Sequence, residues 1–428
     1  MTSSMIITLL VVIAMIVVII SDKLPFGAPA LLAAGLLVLL GQADIATAFS
    51  GFTDKNVIMI MGFMVATAAL QKTRVIYDLK KWLAKVASTG GTKGFILLLF
   101  AIMLVGNFIT GTAYYVLVIT LMAEIPYNKK LPTSRIVLPA AMAINASGWL
   151  PTGLAIFAGI MASLCEAGGY TDVNVDIGKM CIISVIFSVV YLVYAIVMHR
   201  FLPDRDINDS LKKQAEGKKE EEFKPVLSDA QQKLTYVLYV VMLVVMIFLS
   251  KIPGDIGYIA PLMIAGVYLA AGIVNFKEFL GNMFSPVLIM MASIIGVAAT
   301  MSNCGLSAFL GEKIAGMLGA NPSLLTLVLV FAFLTSIMAT FTGASFGSLF
   351  VFAPIGISLC AQYGYNPVPL VYACTLAAWT NWFMPIDGMP AMTMGLGKYK
   401  LTEFWLYTIP LWIIKMLVTC FLGVALLG

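Results

Sequence analysis

Four short polar stretches interrupt an otherwise apolar sequence, and their residue types suit ion and anion binding. Two carry Thr-Gly pairs: Thr110-Gly111-Thr112 inside NFITGTAYYVLVI, and Thr342-Gly343-Ala344-Ser345 inside ATFTGASFGSLFV. Two carry a proline, Asn145-Ala146-Ser147-Gly148-Trp149-Leu150-Pro151-Thr152-Gly153 and Thr380-Asn381-Trp382-Phe383-Met384-Pro385-Ile386-Asp387-Gly388. Irregular backbone at membrane depth persists only where protein or a water-filled cavity covers it. Glycine permits the tight backbone, and proline ends the preceding half-helix. Each break leaves a half-helix N-terminus whose free N–H groups suit an anion. It also leaves C-terminal carbonyls that, joined by Thr, Ser and Asn oxygens, suit a desolvated Na⁺. The plainer reading, that small residues merely allow close packing or kinks, fits one break better than four paired ones.

The residue types divide accordingly. Thr110, Gly111, Asn145 and Ser147 are the first expected Na⁺ site, and Thr342, Gly343, Thr380 and Asn381 its mirror. The substrate is expected between the tips, near Thr112, Thr152, Ala344 and Ser345. Asp387 is the one acidic residue expected deep in a span, where carboxylates are costly and functional by default. It would ligate Na⁺, carry a coupled proton or meet a cationic group of the substrate; the alternative is a solvated carboxylate beside Lys398. Lys415 is expected to snorkel or to face a scaffold rather than a ligand.

These stretches need membrane helices to position them. Of 428 residues, 61% are hydrophobic and 11% charged, against roughly 45–50% and 25% in soluble domains. The mean hydropathy is +0.99. An all-α polytopic membrane protein follows. His199 is the only histidine, and the six cysteines form no CxxC pair, which argues against a histidine metal centre and a disulfide framework. An intramembrane enzyme lacks HExxH, a catalytic Asp pair and a Ser/His combination. The net charge of +5 calls for no nucleic-acid partner. The run Met5 to Ile20 follows no positive n-region and reads as a retained helix rather than a signal peptide.

Apolar runs fall at about 5–20, 26–41, 57–70, 93–125, 136–165 and 180–202, then at 233–250, 256–273, 287–300, 323–362, 369–396 and 401–427. Between the two sets lies a polar linker containing KKQAEGKKEEEFK, which divides the chain into residues 1–203, 204–232 and 233–428. Landmarks recur in the same order and at nearly constant spacing. Ala28-Pro29 answers to Ala260-Pro261, Gly51 to Gly281, Thr110-Gly111 to Thr342-Gly343, and Pro151 to Pro385. If 93–125 and 323–362 enter and leave on one side as re-entrant hairpins, each half keeps five crossings, an odd number, and the repeats are inverted. With both termini outside and the linker cytoplasmic, only Lys55, Lys179, Lys251 and Lys313 fall in outer loops, as the positive-inside rule asks. Two amphipathic stretches precede the hairpins, one with Ile76, Leu79, Leu83 and Val86 on its apolar face and one with Leu306, Leu310 and Met317. Both read as interfacial helices.

At AFSGFTDKNVIMIMGFMVATAALQKT, and in the order of hairpin and broken helix in both halves, the chain resembles the ion transporter superfamily, most closely the divalent anion/sodium symporter family. The resemblance implies a homodimer in an inner or plasma membrane, with a scaffold holding mobile transport domains that slide as elevators. It also implies that the hairpin tips meet substrate carboxylates and Na⁺. The family's tips usually carry Ser-Asn-Thr; of Thr110-Gly111-Thr112 and Thr342-Gly343-Ala344, only Thr112 is identical.

The expectation is a secondary transporter that couples Na⁺ to a small anion of the dicarboxylate, citrate or sulfate class. The alternative is a cation/proton antiporter, or a proton-coupled transporter, with Asp387 as the titrating carboxylate. Asp387→Asn separates them: loss of Na⁺/H⁺ exchange measured without any organic substrate favours the antiporter.

Overall fold

The protein, seen as a computed structural model, is built of helices, and the described residues contain no strand. The structure describes residues 1–21, 23–25, 27–87, 91–109, 111–123, 131–170, 173, 175–205, 207, 227–318, 321–342, 345–380, 382–385 and 388–428. Most of the expected linker, residues 208–226, lies outside them.

Ahead of the linker come α1 (Ser3–Ser21), α2 (Ala28–Leu39), the short α3 (Ile45–Ala48), α4 (Lys55–Gln71) and α5 (Arg74–Ala87). The hairpin α6 (Gly91–Val105) and α7 (Gly111–Ala123) follows, then α8 (Ser134–Ala143), α9 (Pro151–Ala167) and α10 (Ile177–Met198). Behind the linker come α11 (Asp229–Ile247), α12 (Ile256–Ala270), α13 (Phe276–Met283), α14 (Pro286–Asn303) and α15 (Leu306–Leu318). The hairpin α16 (Leu324–Thr342) and α17 (Ser345–Tyr363) leads into α18 (Val368–Ala378), α19 (Gly388–Leu396) and α20 (Leu401–Leu427).

Among the described residues, six helices are long and apolar enough to cross a membrane, or eight if each of two bent pairs is one span. The outward faces agree with that. Val189, Val193 and Val197 of α10 are exposed, as are Val237, Val240 and Val244 of α11. Apolar stripes of this extent are not left to water; hydrocarbon is the solvent they fit. The six cysteines are free, four of them buried.

Helix ends show where polar chemistry is available locally. Asp54 accepts from the backbone N–H groups of Asn56 and Val57 at the start of α4. Ser228 with Gln231, and Asn275 with Glu278, form reciprocal capping boxes on α11 and α13. The α4–α5 corner, bent by 64°, is held from other helices instead. Gln232 accepts from Arg74 N–H and the Tyr236 hydroxyl from Val75 N–H, while Lys72 reaches Glu278 and the Ile273 carbonyl. Beyond that corner α5 buries Ile76, Leu83 and Val86 and exposes Lys80, Lys81 and Lys85, the face expected from its periodicity. In α15, Leu306 is buried and Leu310 packs partly against the core, while the Met317 side chain lies outside the description.

The hairpins differ in length. The arms α6 and α7 have 15 and 13 residues, short enough for the expected re-entrant form. Each arm of the second hairpin has 19 residues, about 28 Å of helix, so by length alone either arm would cross.

Helices from the two sides of the linker pack closely through small residues: α4 lies against α12, and α14 against α2 and α3. A Cβ added at Gly62 of α4 would sit 2.2 Å from the Leu262 backbone nitrogen of α12. One at Gly296 of α14 would sit 1.8 Å from the Ala48 carbonyl oxygen, and one at Gly51 would sit 2.1 Å from that of Ala292. Only hydrogen fits there. Gly266, by contrast, has nothing within 4 Å of its added Cβ. Gly62→Ala is therefore expected to lower stability by about 1–3 kcal/mol through overpacking, read as a lower unfolding midpoint in detergent. Gly266→Ala, in the exposed part of α12, is expected to leave that midpoint unchanged or to raise it.

Candidate functional site

The break between α8 and α9 bends the pair by 57°. The chain runs from α8 through a 3-10 turn at Ile144–Ala146 and an extended Ser147 into Gly148, whose φ of +113° favours glycine. Leu150 precedes Pro151, the first residue of α9, and gives that helix no side-chain cap of its own. The cap comes from the first hairpin. Asn107, only 2% exposed, follows the end of α6, and its Oδ1 accepts from the backbone N–H groups of Gly148 (3.2 Å), Trp149 (2.7 Å) and Leu150 (3.0 Å). Its Nδ2 donates to the carbonyls of Met103 (3.0 Å) and Leu104 (3.1 Å). One amide thus closes the end of α6 and the start of α9 together. The three N–H groups that Asn107 takes belong to the segment ahead of the first turn of α9.

The broken carbonyls are also satisfied, and in one way at both breaks. Ser188 of α10 donates to the Ala146 carbonyl or to its own helix at Ser184, and accepts from the Trp149 indole N–H at 2.6 Å. Ser336 of α16 donates to the Thr380 carbonyl at 2.8 Å and accepts from the Trp412 indole N–H at 2.8 Å. At each break a serine hydroxyl serves a freed carbonyl while an indole holds the serine.

The expected site residues fall into groups. Asn145 and Thr380 share the wall of one cavity, with Phe187, Tyr191, Trp379 and Trp412 among its other lining residues. The cavity measures about 20 Å³, room for roughly one water molecule. Ser147, Thr152, Thr342 and Ser345 are not on that wall. Ser147 donates its hydroxyl to the Ile144 carbonyl, Thr380 to Leu376 and Thr342 to Met338. For Ser147 and Thr380 the hydrogen is committed to backbone, so the oxygen lone pairs are what they offer a guest, which suits a cation. Thr152, in the first turn of α9, has a buried hydroxyl oxygen without a hydrogen-bond partner among the described residues. Gly111 opens α7, with Thr112 next to it. Thr110, Gly343, Ala344, Asn381 and Asp387 lie outside the described residues.

Three functional candidates escaped sequence reasoning. Asn107 stands at the end of an apolar run, and an amide there signalled a buried hydrogen-bond role that the neighbouring Thr-Gly-Thr overshadowed. Trp379 packs edge-on against Phe157 of α9 (4.8 Å between centroids) and Phe346 of α17 (4.7 Å). It joins the second break to the first broken helix and the second hairpin. Lys415, expected to snorkel or face a scaffold, stands on the cavity wall with Asn145 and Thr380 instead.

Comparison with known proteins identifies the setting of this site. The pattern of the CitMHS family, described as citrate transporter, matches residues 16–267. Uncharacterized transporter YfbS of Escherichia coli K12 is 27% identical over 135 residues, 32% of this chain and 22% of that protein. Uncharacterized transporter sll0640 of Synechocystis is 27% identical over 199 residues, 45% of this chain and 31% of that protein. The chain thus spans less than a third of the length of either relative. Among solved structures, the YdaH transporter of Alcanivorax borkumensis superposes with a TM-score of 0.58 over 99% of this chain and 98% of that one, at 16% identity. It shares the fold. These proteins are transporters, not enzymes, and the family match together with the apolar helices makes this chain a multi-pass membrane protein.

The Asn107 clamp makes a local prediction. Asn107→Ala leaves three buried or half-buried N–H groups and the Met103 carbonyl short of a partner, an expected loss of about 2–4 kcal/mol. Hydrogen exchange of the peptide spanning residues 145–152 is expected to accelerate well above that of α4. Unchanged exchange there would remove the clamp from this account.

Proposed function

The chain belongs to the citrate transporter family, and from that premise we propose that it is a secondary active transporter of a small carboxylate anion, of the citrate or dicarboxylate class, driven by Na⁺. The observation that carries the reading is the cavity where the two broken helices meet, with Asn145 from one break and Thr380 from the other on its wall. Discontinuous helices of this kind are how secondary transporters offer backbone and side-chain oxygens to ions near the midplane.

On this reading the Na⁺ ligands come from Thr110, Gly111, Asn145 and Ser147 on one side, and from Thr342, Gly343, Thr380 and Asn381 on the other. The hydroxyls of Ser147 and Thr380, already donating to carbonyls, favour cation ligation over anion binding. The anion is assigned to the neighbourhood of Thr112, Thr152, Ala344, Ser345 and Asp387, with the unpartnered Thr152 hydroxyl as its first described donor.

The same reading makes residues 1–203 and 233–428 inverted repeats flanking a cytoplasmic linker at 204–232. It is supported by the crosswise packing of α4 on α12 and α14 on α2 and by the serine-to-carbonyl device at both breaks. A cavity of about 20 Å³ has no room for citrate, so binding requires movement around Trp379, and an elevator motion of a homodimer in the inner membrane supplies it. Both termini then face outward.

Proteoliposomes test the coupling. An inward Na⁺ gradient is expected to accelerate radiolabelled citrate uptake at least fivefold over a K⁺ control, with malate or succinate competing. Uptake indifferent to Na⁺ would refute sodium coupling and bring proton coupling through Asp387 to the front.

A further inference from the structure

Lys415 lies near the middle of α20, 14 residues beyond Leu401 in a 27-residue helix, and so roughly 20 Å from either end. That is too deep for its ammonium to reach the interface by stretching. It lines the cavity that Asn145 and Thr380 share. Its Nζ stands 5.5 Å from the centroid of the Phe187 ring, which lines the cavity too. Among the described residues no carboxylate lines that cavity, and none pairs with Lys415. A ring face compensates an ammonium only in part, and an intramembrane charge without a counter-ion is costly enough to signal a function.

Building on the proposed carboxylate transport, we infer that Lys415 is the fixed positive charge of the site, its ammonium taking a carboxylate of the substrate in a charge-assisted hydrogen bond. The chemistry at hand supports this division of labour. Asn145 and Thr380 give neutral oxygens for a cation, and Asn107 already occupies the N–H groups leading into α9. The lysine adds a full positive charge, which neither of those neutral side chains supplies. The aromatic wall keeps water from competing, which strengthens the pair.

Citrate binding by isothermal titration of the full chain in detergent, with Na⁺ present, tests the assignment through charge alone. Lys415→Cys is expected to weaken citrate roughly ten- to hundredfold, the range of one lost charge-assisted hydrogen bond. Treating that variant with an ethylammonium methanethiosulfonate should restore affinity to within a few-fold of the parent, whereas a neutral adduct of the same size should not. The parent treated identically controls for its native cysteines. If Lys415→Cys does not fold, Lys415→Gln takes its place, with the same loss of affinity expected at an unchanged unfolding midpoint. Unchanged affinity, or equal rescue by both adducts, overturns the inference. So does unchanged affinity with a lowered midpoint that Asp387→Asn restores, because the ammonium would then belong to Asp387. A parent protein that binds neither citrate, malate nor succinate would instead overturn the carboxylate reading itself.

Discussion

Between α8 and α9 the chain leaves helical geometry at membrane depth, where no bulk water is available to bond freed N–H and C=O groups. Asn107 resolves the N–H side, with one amide oxygen accepting three backbone donors and its nitrogen serving two carbonyls of α6. Ser188 resolves the carbonyl side. Because these partners sit on α6 and α10, the break keeps its shape only while those helices are packed on it. The bend that exposes Asn145 to a cavity follows from that arrangement. At the second break Ser336, held by Trp412, serves the Thr380 carbonyl in the same manner.

What lies between the two breaks is small and mostly apolar. Trp379 stands at its edge, against Phe157 and Phe346, and Phe187, Tyr191 and Trp412 complete much of the wall. A dry enclosure strengthens each electrostatic contact inside it, so few polar atoms are needed. Outside this region the helices meet through glycines at Gly51, Gly62 and Gly296, where backbones nearly touch. Such contacts tolerate little deformation.

Much of this was legible in the sequence because hydrophobic periodicity and backbone chemistry are local. The apolar runs, the amphipathic α5 with Ile76, Leu83 and Val86 inward, and the break at Gly148-Pro151 all follow from residue types and spacing. The family resemblance drawn from those residues agrees with the citrate transporter match and the shared transporter fold. The misses were tertiary. Asn107 satisfies atoms 41 to 43 residues away, and no spacing rule announces that. Lys415 looked like a snorkelling residue because its helix position says nothing about which way its side chain faces. The arm lengths of the two hairpins, 15 and 13 residues against 19 and 19, were not legible either, since hydropathy does not mark where an apolar segment turns.

The central claim is that one substrate site forms where the two broken helices meet. A cryo-electron microscopy map of the protein in lipid nanodiscs with citrate and Na⁺ tests it most directly. The account predicts ligand density between the α8–α9 and α18–α19 breaks, within hydrogen-bond reach of Thr152 or Lys415, with Asn145 and Thr380 lining the same space. Density confined to another place, such as the open cleft beside Tyr170 and Tyr365, with the two breaks unchanged, would contradict it.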